Sequence, residues 1–273
     1  PFLAGLTGAK HAEVRRDAAN TLAYKRVEAA IPGLITMLND PDQDLRDAAT
    51  NALESYKEAA SPAIPTLIKL AENVENERRY ALIHTIGNIG AQPQLSTPAL
   101  MKLLDDKESN VRESAATSLA KIIAKHDMDA GPALGKIVPL LETTEGFDRH
   151  SFVVALKTLG PKAAPAVDKL IPLLDDKYLN DDAAEALGAI GPAAKAAAPK
   201  LIDAAVNWEE DQDEAIQALA QIKAGGTEFA KVAPALLNDL DLRSSTLRAL
   251  SAMGPDAAGA APCGGTSPTS GAS

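Results

Sequence analysis

Residues 189–202 read AIGPAAKAAAPKLI, a run of alanine and lysine enclosed by Pro192 and Pro199. Alanine is the best helix former and proline is the worst inside a helix, so the segment combines opposite preferences. Glycine is typical of the end of a helix, and proline is tolerated in the first turn of the next one. The stretch therefore predicts a helix that ends at Ile190 with Gly191 as its cap, and a second helix that begins at Pro199.

The Gly191-Pro192 step that ends this helix recurs elsewhere in the chain, at Gly160-Pro161 and Gly254-Pro255. Eight apolar residues, each near the end of a helical pattern, mark the period: Leu22, Leu53, Ile86, Leu119, Leu156, Leu187, Leu219 and Leu250. Their successive spacings are 31, 33, 33, 37, 31, 32 and 31 residues. A period near 33 that is held along the whole series predicts internal structural repeats.

Each period contains two helical patterns. The first opens near a proline such as Pro32, and the second follows an acidic turn. In the second, apolar residues recur at i, i+4 and i+8, as at Val111, Ala115 and Leu119. A lone helix pair leaves one face unburied, so such pairs stack. We therefore predict an all-α fold, an α-solenoid of about eight two-helix repeats that form a curved superhelix.

We predict that the repeat array spans residues 1–258 and that residues 259–273, rich in Gly, Ser, Thr and Pro, form a disordered tail. The predicted repeats are 1–30, 31–63, 64–95, 96–131, 132–164, 165–195, 196–230 and 231–258. Neither end of the array shows a polar capping repeat, so we expect it to meet more protein, as part of a longer polypeptide.

Composition narrows the classes of partner. The chain has 273 residues, a net charge of −10 and only 3% aromatic residues. Residues 1–140 hold 16 basic and 18 acidic residues, whereas residues 141–273 hold 11 and 19. An acidic chain with few aromatic residues is a poor nucleic-acid binder, and no apolar run approaches the ~18 residues of a membrane span. We expect neither nucleic acid nor membrane as a partner.

Motifs for catalysis are missing from the sequence. It contains no glycine-rich phosphate loop, no GxSxG, no HExxH and no CxxC. The four histidines, His11, His84, His126 and His150, are dispersed. We expect no catalytic residues, no cofactor and no metal.

Three stretches, VRESAATSLAKI (111–122), LRDAATNAL (45–53) and LGAIGP (187–192), resemble HEAT repeats. They are most similar to the short bacterial HEAT-like repeats associated with phycobilisome lyases, and the resemblance extends from residue 1 to about residue 258. It implies a solenoid whose function is that of a scaffold, an adaptor, a regulatory subunit or, in a few members, an enzyme. A HEAT-like di-iron hydroxylase would carry His-Glu pairs, and no histidine here precedes a glutamate.

The resemblance also implies a ladder of arginines early in the second helices, each bridging to an acidic residue in an inter-helix turn. The residues at that position are Arg15, Arg46, Arg79, Arg112, Arg149 and Arg243. Asn180 and Gln212 occupy it in repeats six and seven, so the ladder is expected to break there.

In HEAT arrays the second helices line the concave side, which implies a row of partner-binding residues. The row includes Asn51, Tyr80, His84, Glu113, His150, Asp181, Glu185, Asp213 and Gln217. We expect Tyr80, His84 and His150 to be central contacts, and Asp181, Glu185 and Asp213 to favour a basic partner.

These residues predict a non-catalytic protein–protein interaction scaffold or adaptor that binds an extended peptide or protein surface. The alternative, implied by family kinship alone, is a pigment-handling accessory subunit related to bilin lyases.

Overall fold

The computed structural model describes residues 2–144, 149–208 and 210–254, and all regular structure within them is helical. The α-helices of the first half are α1 (Phe2–Gly5), α2 (Ala12–Lys25), α3 (Ile31–Met37), α4 (Gln43–Tyr56), α5 (Ile64–Glu72), α6 (Arg79–Ile89), α7 (Pro93–Leu103), α8 (Ser109–Lys125), α9 (Gly131–Thr143) and α10 (His150–Leu159). Those that follow are α11 (Val167–Leu170), α12 (Asn180–Ile190), α13 (Ala198–Asn207), α14 (Gln212–Ile222), α15 (Gly226–Leu236) and α16 (Arg243–Met253). The predicted all-α solenoid class is confirmed. The predicted tail, 259–273, lies outside the described residues.

The described residues form two compact units, one within residues 1–159 (unit 1) and the other within residues 160–273 (unit 2). In unit 1 the even-numbered helices α2, α4, α6, α8 and α10 pack side by side in sequence order. In unit 2 the helices α12, α14 and α16 form a similar row. These are the second helices of the repeats.

The residues that mark the sequence period lie in the core. Seven of the eight are fully buried, and only Leu250, on the last described helix, is partly exposed. Val111, Ala115 and Leu119 are all inaccessible to solvent, as their i, i+4, i+8 spacing predicts. Alanines between the large residues let neighbouring helices approach closely.

The segment 189–202 has the predicted structure. Helix α12 ends at Ile190, and Gly191 caps it with a φ of +76°, a region that favours glycine. Residues 191–197 form a 3₁₀ connector, and Pro199 lies in the first turn of α13.

Two helices begin earlier than the sequence predicts. Helix α7 begins at Pro93, before the predicted repeat start at residue 96, because Pro93 itself occupies the first turn. Helix α15 begins at Gly226, before the predicted start of the last repeat at residue 231, and Pro234 lies inside it. An internal proline costs one backbone hydrogen bond, and the burial of Phe229 in the first turn of α15 offsets that cost.

Candidate functional site

Two adjoining depressions lie along the second helices of unit 1. The first has a volume of about 410 Å³ and is lined by Asp47, Thr50, Asn51, Glu54, Arg78, Tyr80, Ala81, His84, Thr85 and Ser114. The second, of about 420 Å³, is lined by Tyr80, His84, Asn110, Glu113, Ser114, Thr117, Lys121, His150, Ser151 and Val154. Because Tyr80, His84 and Ser114 line both, the depressions form one continuous surface, which we call the groove.

The groove brings together the five residues of the predicted binding row that belong to unit 1. Asn51 lines the first depression, Glu113 and His150 line the second, and Tyr80 and His84 line both. Tyr80 is 44% exposed, a large accessible fraction for an aromatic ring. The row predicted from the sequence therefore lies on one surface in this unit.

A hydrogen-bond network centred on Asn88 links three of the helices that form the groove. The Asn88 amide group donates to Glu54 Oε2 on α4 at 3.1 Å and to His84 Nδ1 at 2.9 Å. Its carbonyl oxygen accepts from Lys121 Nζ on α8 at 2.8 Å. Thr85 completes the network by donating to Glu54 Oε1 at 2.6 Å. These bonds fix the side chains across α4, α6 and α8.

The network also fixes the tautomer of His84. Lys121 can only donate and the Glu54 carboxylate can only accept, so the Asn88 amide has one possible orientation. Both of its N–H hydrogens are then used, one of them on His84 Nδ1. The neutral His84 ring therefore carries its proton on Nε2, which leaves the groove with an N–H donor.

Burial and hydrogen bonding shift two pKa values in the network. Burial acts to raise the pKa of Glu54, but the hydrogen bonds that it accepts, including those from Thr85 and Asn88, outweigh burial and hold that pKa below its ordinary value. Desolvation lowers the pKa of Lys121, although the negative charge of Glu54 partly opposes the change. Lys57 adds to the lowering by repulsion. Glu54 is thus a well-stabilised anion, whereas Lys121 is a cation in an unfavourable setting.

Other charged groups in the groove are compensated within it. Arg78 and Asp47 form an ion pair at the end of the first depression. Ser151 donates to Glu113 Oε2 at 3.2 Å in the second depression.

Sequence reasoning missed Glu54 and Arg78 as groove residues. The position directly after the period-marking residue is small in six of the eight repeats, and Glu54 is one of the two exceptions. Arg78 occupies the position that is buried and apolar at Leu45 and Val111. A charged residue at an otherwise small or apolar position is the signal that would have found both.

The predicted residues of unit 2 lie on two neighbouring helices, Asp181 and Glu185 on α12 and Asp213 and Gln217 on α14. Asp213 accepts hydrogen bonds from Gln217 and from Ser245 of α16.

Acidic residues crowd together on this surface. Burial raises the pKa of Glu214, and the negative charges of Asp211, Asp213 and Glu185 raise it further. Among the described residues, no group of three or more His, Cys, Asp or Glu side chains is arranged to hold a metal ion.

The arginine ladder has a more varied geometry than the resemblance implies. Arg15 pairs with Asp40 at 3.0 Å, and the buried Arg79 makes a bidentate contact with Asp106. In both cases the acid belongs to the turn of the next repeat. Arg149 directly precedes α10.

Most ladder residues also bond to backbone carbonyls in the inter-helix turn or at the end of the preceding helix. Arg46 donates to Asp40 and Pro41, at 2.7 and 2.9 Å, and Arg243 donates to Leu237 at 2.9 Å. Arg112 donates to the carbonyl oxygens of residues 106 and 107. The arginine donors thus supply hydrogen-bond partners to carbonyls of the turn between the two helices of a repeat.

Gln212 takes over this capping in repeat seven. Its side-chain amide donates to the carbonyl oxygens of Ala205 and Val206, at 3.2 and 3.4 Å. The substitution therefore keeps the hydrogen bonds to the preceding helix and loses only the charge.

Comparison with known proteins places the chain in a family. A family model for HEAT repeats matches residues 1–87 and 64–157, which together cover more than half of the sequence. The chain belongs to the HEAT repeat family. The finer resemblance to phycobilisome lyase repeats stays a prediction.

Two solved structures are similar to the chain. One is an engineered protein, 21% identical, with a TM-score of 0.49 over 92% of this chain and 87% of the other. The other is human deoxyhypusine hydroxylase in complex with glycerol, 20% identical, with a TM-score of 0.41 over 92% of this chain and 94% of the other. No curated protein matches the sequence. Within the described residues, the helices are too short or too polar to span a membrane.

Proposed function

We propose that the protein is a non-catalytic interaction scaffold or adaptor, and that the groove of unit 1 binds an extended segment of a partner protein. HEAT repeats commonly mediate protein interactions. The observation that carries the proposal is the continuity of the two depressions through Tyr80 and His84. A surface that runs across successive helices suits a chain segment better than a compact small molecule.

The spacing of the helices supports an extended ligand. Neighbouring packed helices lie about 10 Å apart, and an extended chain advances about 3.3 Å per residue. Side chains two or four residues apart lie on the same face of such a chain, about 7 and about 13 Å from each other, so residues at these spacings would reach successive depressions. The polar lining, with Asn51 and Thr117 among its members, supplies hydrogen-bond partners for the backbone of such a segment.

Display of a random peptide library on phage, with selection on the wild-type protein, tests this function. We expect enriched peptides to lose about 10-fold or more in affinity when Tyr80→Ala and His84→Ala are combined. The matched control combines Val74→Ala and Leu95→Ala, which remove exposed apolar side chains outside the groove. Equal affinity of the groove variant and the control variant would refute the proposal.

For unit 2 we keep the prediction of a basic partner, on the strength of its acidic row. Changing Asp181, Glu185 and Asp213 to Lys should weaken binding of that partner and reduce its salt dependence.

The pigment-handling alternative has only the family resemblance behind it. A tetrapyrrole absorbance titration with no spectral change would remove it.

A further inference from the structure

Lys121 differs from the other charged residues of the groove in how it is compensated. Its ammonium group donates one hydrogen bond, to the neutral carbonyl oxygen of Asn88, and within the described residues it makes no ion pair. An ammonium group has three donor hydrogens, so its hydrogen-bonding capacity is not used up. Lys121 is also partly buried, and it lines the second depression.

The nearby carboxylates do not form an ion pair with Lys121. The charge of Glu54 acts on Lys121, but the hydrogen bonds between the two side chains run through Asn88. Glu113 is on the same helix, but eight residues separate the two, a rise of about 12 Å along the axis. Glu113 is bonded to Ser151 instead. The second depression thus contains a partly desolvated cation that forms no ion pair with a carboxylate of the described residues.

We propose that Lys121 binds the carboxylate of an aspartate or glutamate side chain in the partner segment. The inference rests on the proposed function, because it names the chemistry that the groove recognises. His84, which lines the same depression and carries its proton on Nε2, adds a second donor. An ammonium and one imidazole N–H match the two oxygens of a carboxylate. The preference of unit 1 is therefore opposite to the basic preference predicted for unit 2.

A charge-matched pair of substitutions, one in the peptide and one in the protein, tests this contact. The peptides are those enriched by the wild-type protein, each compared with versions in which Glu is changed to Gln or Asp to Asn. With the wild-type protein we expect one such change to lower affinity about 10-fold, the usual effect of losing a charge-assisted hydrogen bond. With Lys121→Gln, which keeps a donor for Asn88 but removes the charge, acidic and amide peptides should bind equally. Lys121→Arg, which keeps the charge, should retain the acidic preference.

The outcomes separate this inference from the proposed function. Peptides that lose affinity in the Tyr80→Ala, His84→Ala variant but carry no acidic residue would overturn the role of Lys121 alone. An acidic preference that persists unchanged in Lys121→Gln would also overturn it. No enrichment of groove-dependent peptides would overturn the proposed function, and with it the inference. A preference for Glu that disappears only in Lys121→Gln is the supporting result.

Discussion

Gly87 and Gly135 both lie inside helices, but alanine at the two positions should change stability in opposite directions. A Cβ on Gly87 of α6 would lie 2.6 Å from Ser118 Cβ and 2.8 Å from Ser118 Cα on α8, where ordinary contacts are 3.4–4 Å. The obstacle is backbone, so α6 and α8 would have to separate. A Cβ on Gly135 of α9 would meet nothing within 4 Å.

The magnitudes follow from these distances. Overpacking a close helix contact costs about 1–3 kcal/mol, and replacing an interior helical glycine by alanine gains about 1 kcal/mol. For Gly87→Ala we expect a net loss of about 1–2 kcal/mol in the free energy of unfolding, since the clash involves the backbone. For Gly135→Ala only the gain applies, so stability should rise by about 1 kcal/mol.

Urea unfolding followed by far-ultraviolet circular dichroism measures both changes in the full chain. The midpoint should fall for Gly87→Ala and rise for Gly135→Ala, with similar slopes. If Gly87→Ala is as stable as the wild type, the close packing of α6 on α8 does not limit stability and the reasoning fails. A Gly135→Ala variant that loses stability would refute the assignment of that position to an open helix surface.

Three further predictions concern charged residues. Asp106→Asn should lower the free energy of unfolding by about 2–3 kcal/mol, because it removes the bidentate carboxylate from the buried Arg79 and leaves only the longer contact with Glu108, at 3.6 Å. Glu72→Gln, at an exposed pair, should cost under ~0.5 kcal/mol. Equal urea midpoints for the two variants would contradict this reasoning. The lowered pKa of Glu54 contributes stability that is present above its ordinary pKa and is lost as pH falls through the lowered value. Glu54→Gln should therefore show a smaller drop in urea midpoint than the wild type between about pH 7 and about pH 3.5; an equal drop would refute the role of Glu54. Arg78→Leu should stabilise unit 1 by about 1 kcal/mol, because it returns an apolar side chain to a core position beside a small void; a lower thermal midpoint would show that the ion pair with Asp47 contributes more.

The sequence predicts the helix pairs well because the burial pattern repeats. The position that Leu119 occupies is apolar in every repeat. The spacing between these positions is enough to predict where the next second helix lies. The positions of Tyr80 and His84 on one surface follow from the same register. Local signals are weaker, as Pro234 illustrates: proline is compatible with the first helical turn, yet here the burial of Phe229 extends α15 in front of it.

The chemistry of the groove depends on contacts between repeats, which a single period cannot reveal. Glu54, Asn88 and Lys121 come from three different repeats and meet through hydrogen bonds that span more than 30 residues each. The sequence shows each of them only as a polar residue on a helix. The tautomer of His84 requires knowing which groups Asn88 faces, and only the folded arrangement supplies that.

The bidentate contact between Arg79 and Asp106 also bears on how unit 1 opens. In a repeat array, unfolding begins at the ends and spreads one repeat at a time, and each step breaks the interface with the next neighbour. Separating the third and fourth repeats would leave the charge of the buried Arg79 without Asp106, which raises the free energy of this step. The Asn88–Lys121 hydrogen bond crosses the same interface. Amide hydrogen exchange should therefore be slowest on α6 and α8. Fraying of outer repeats would leave these two helices intact, with Tyr80 and His84 in place on α6.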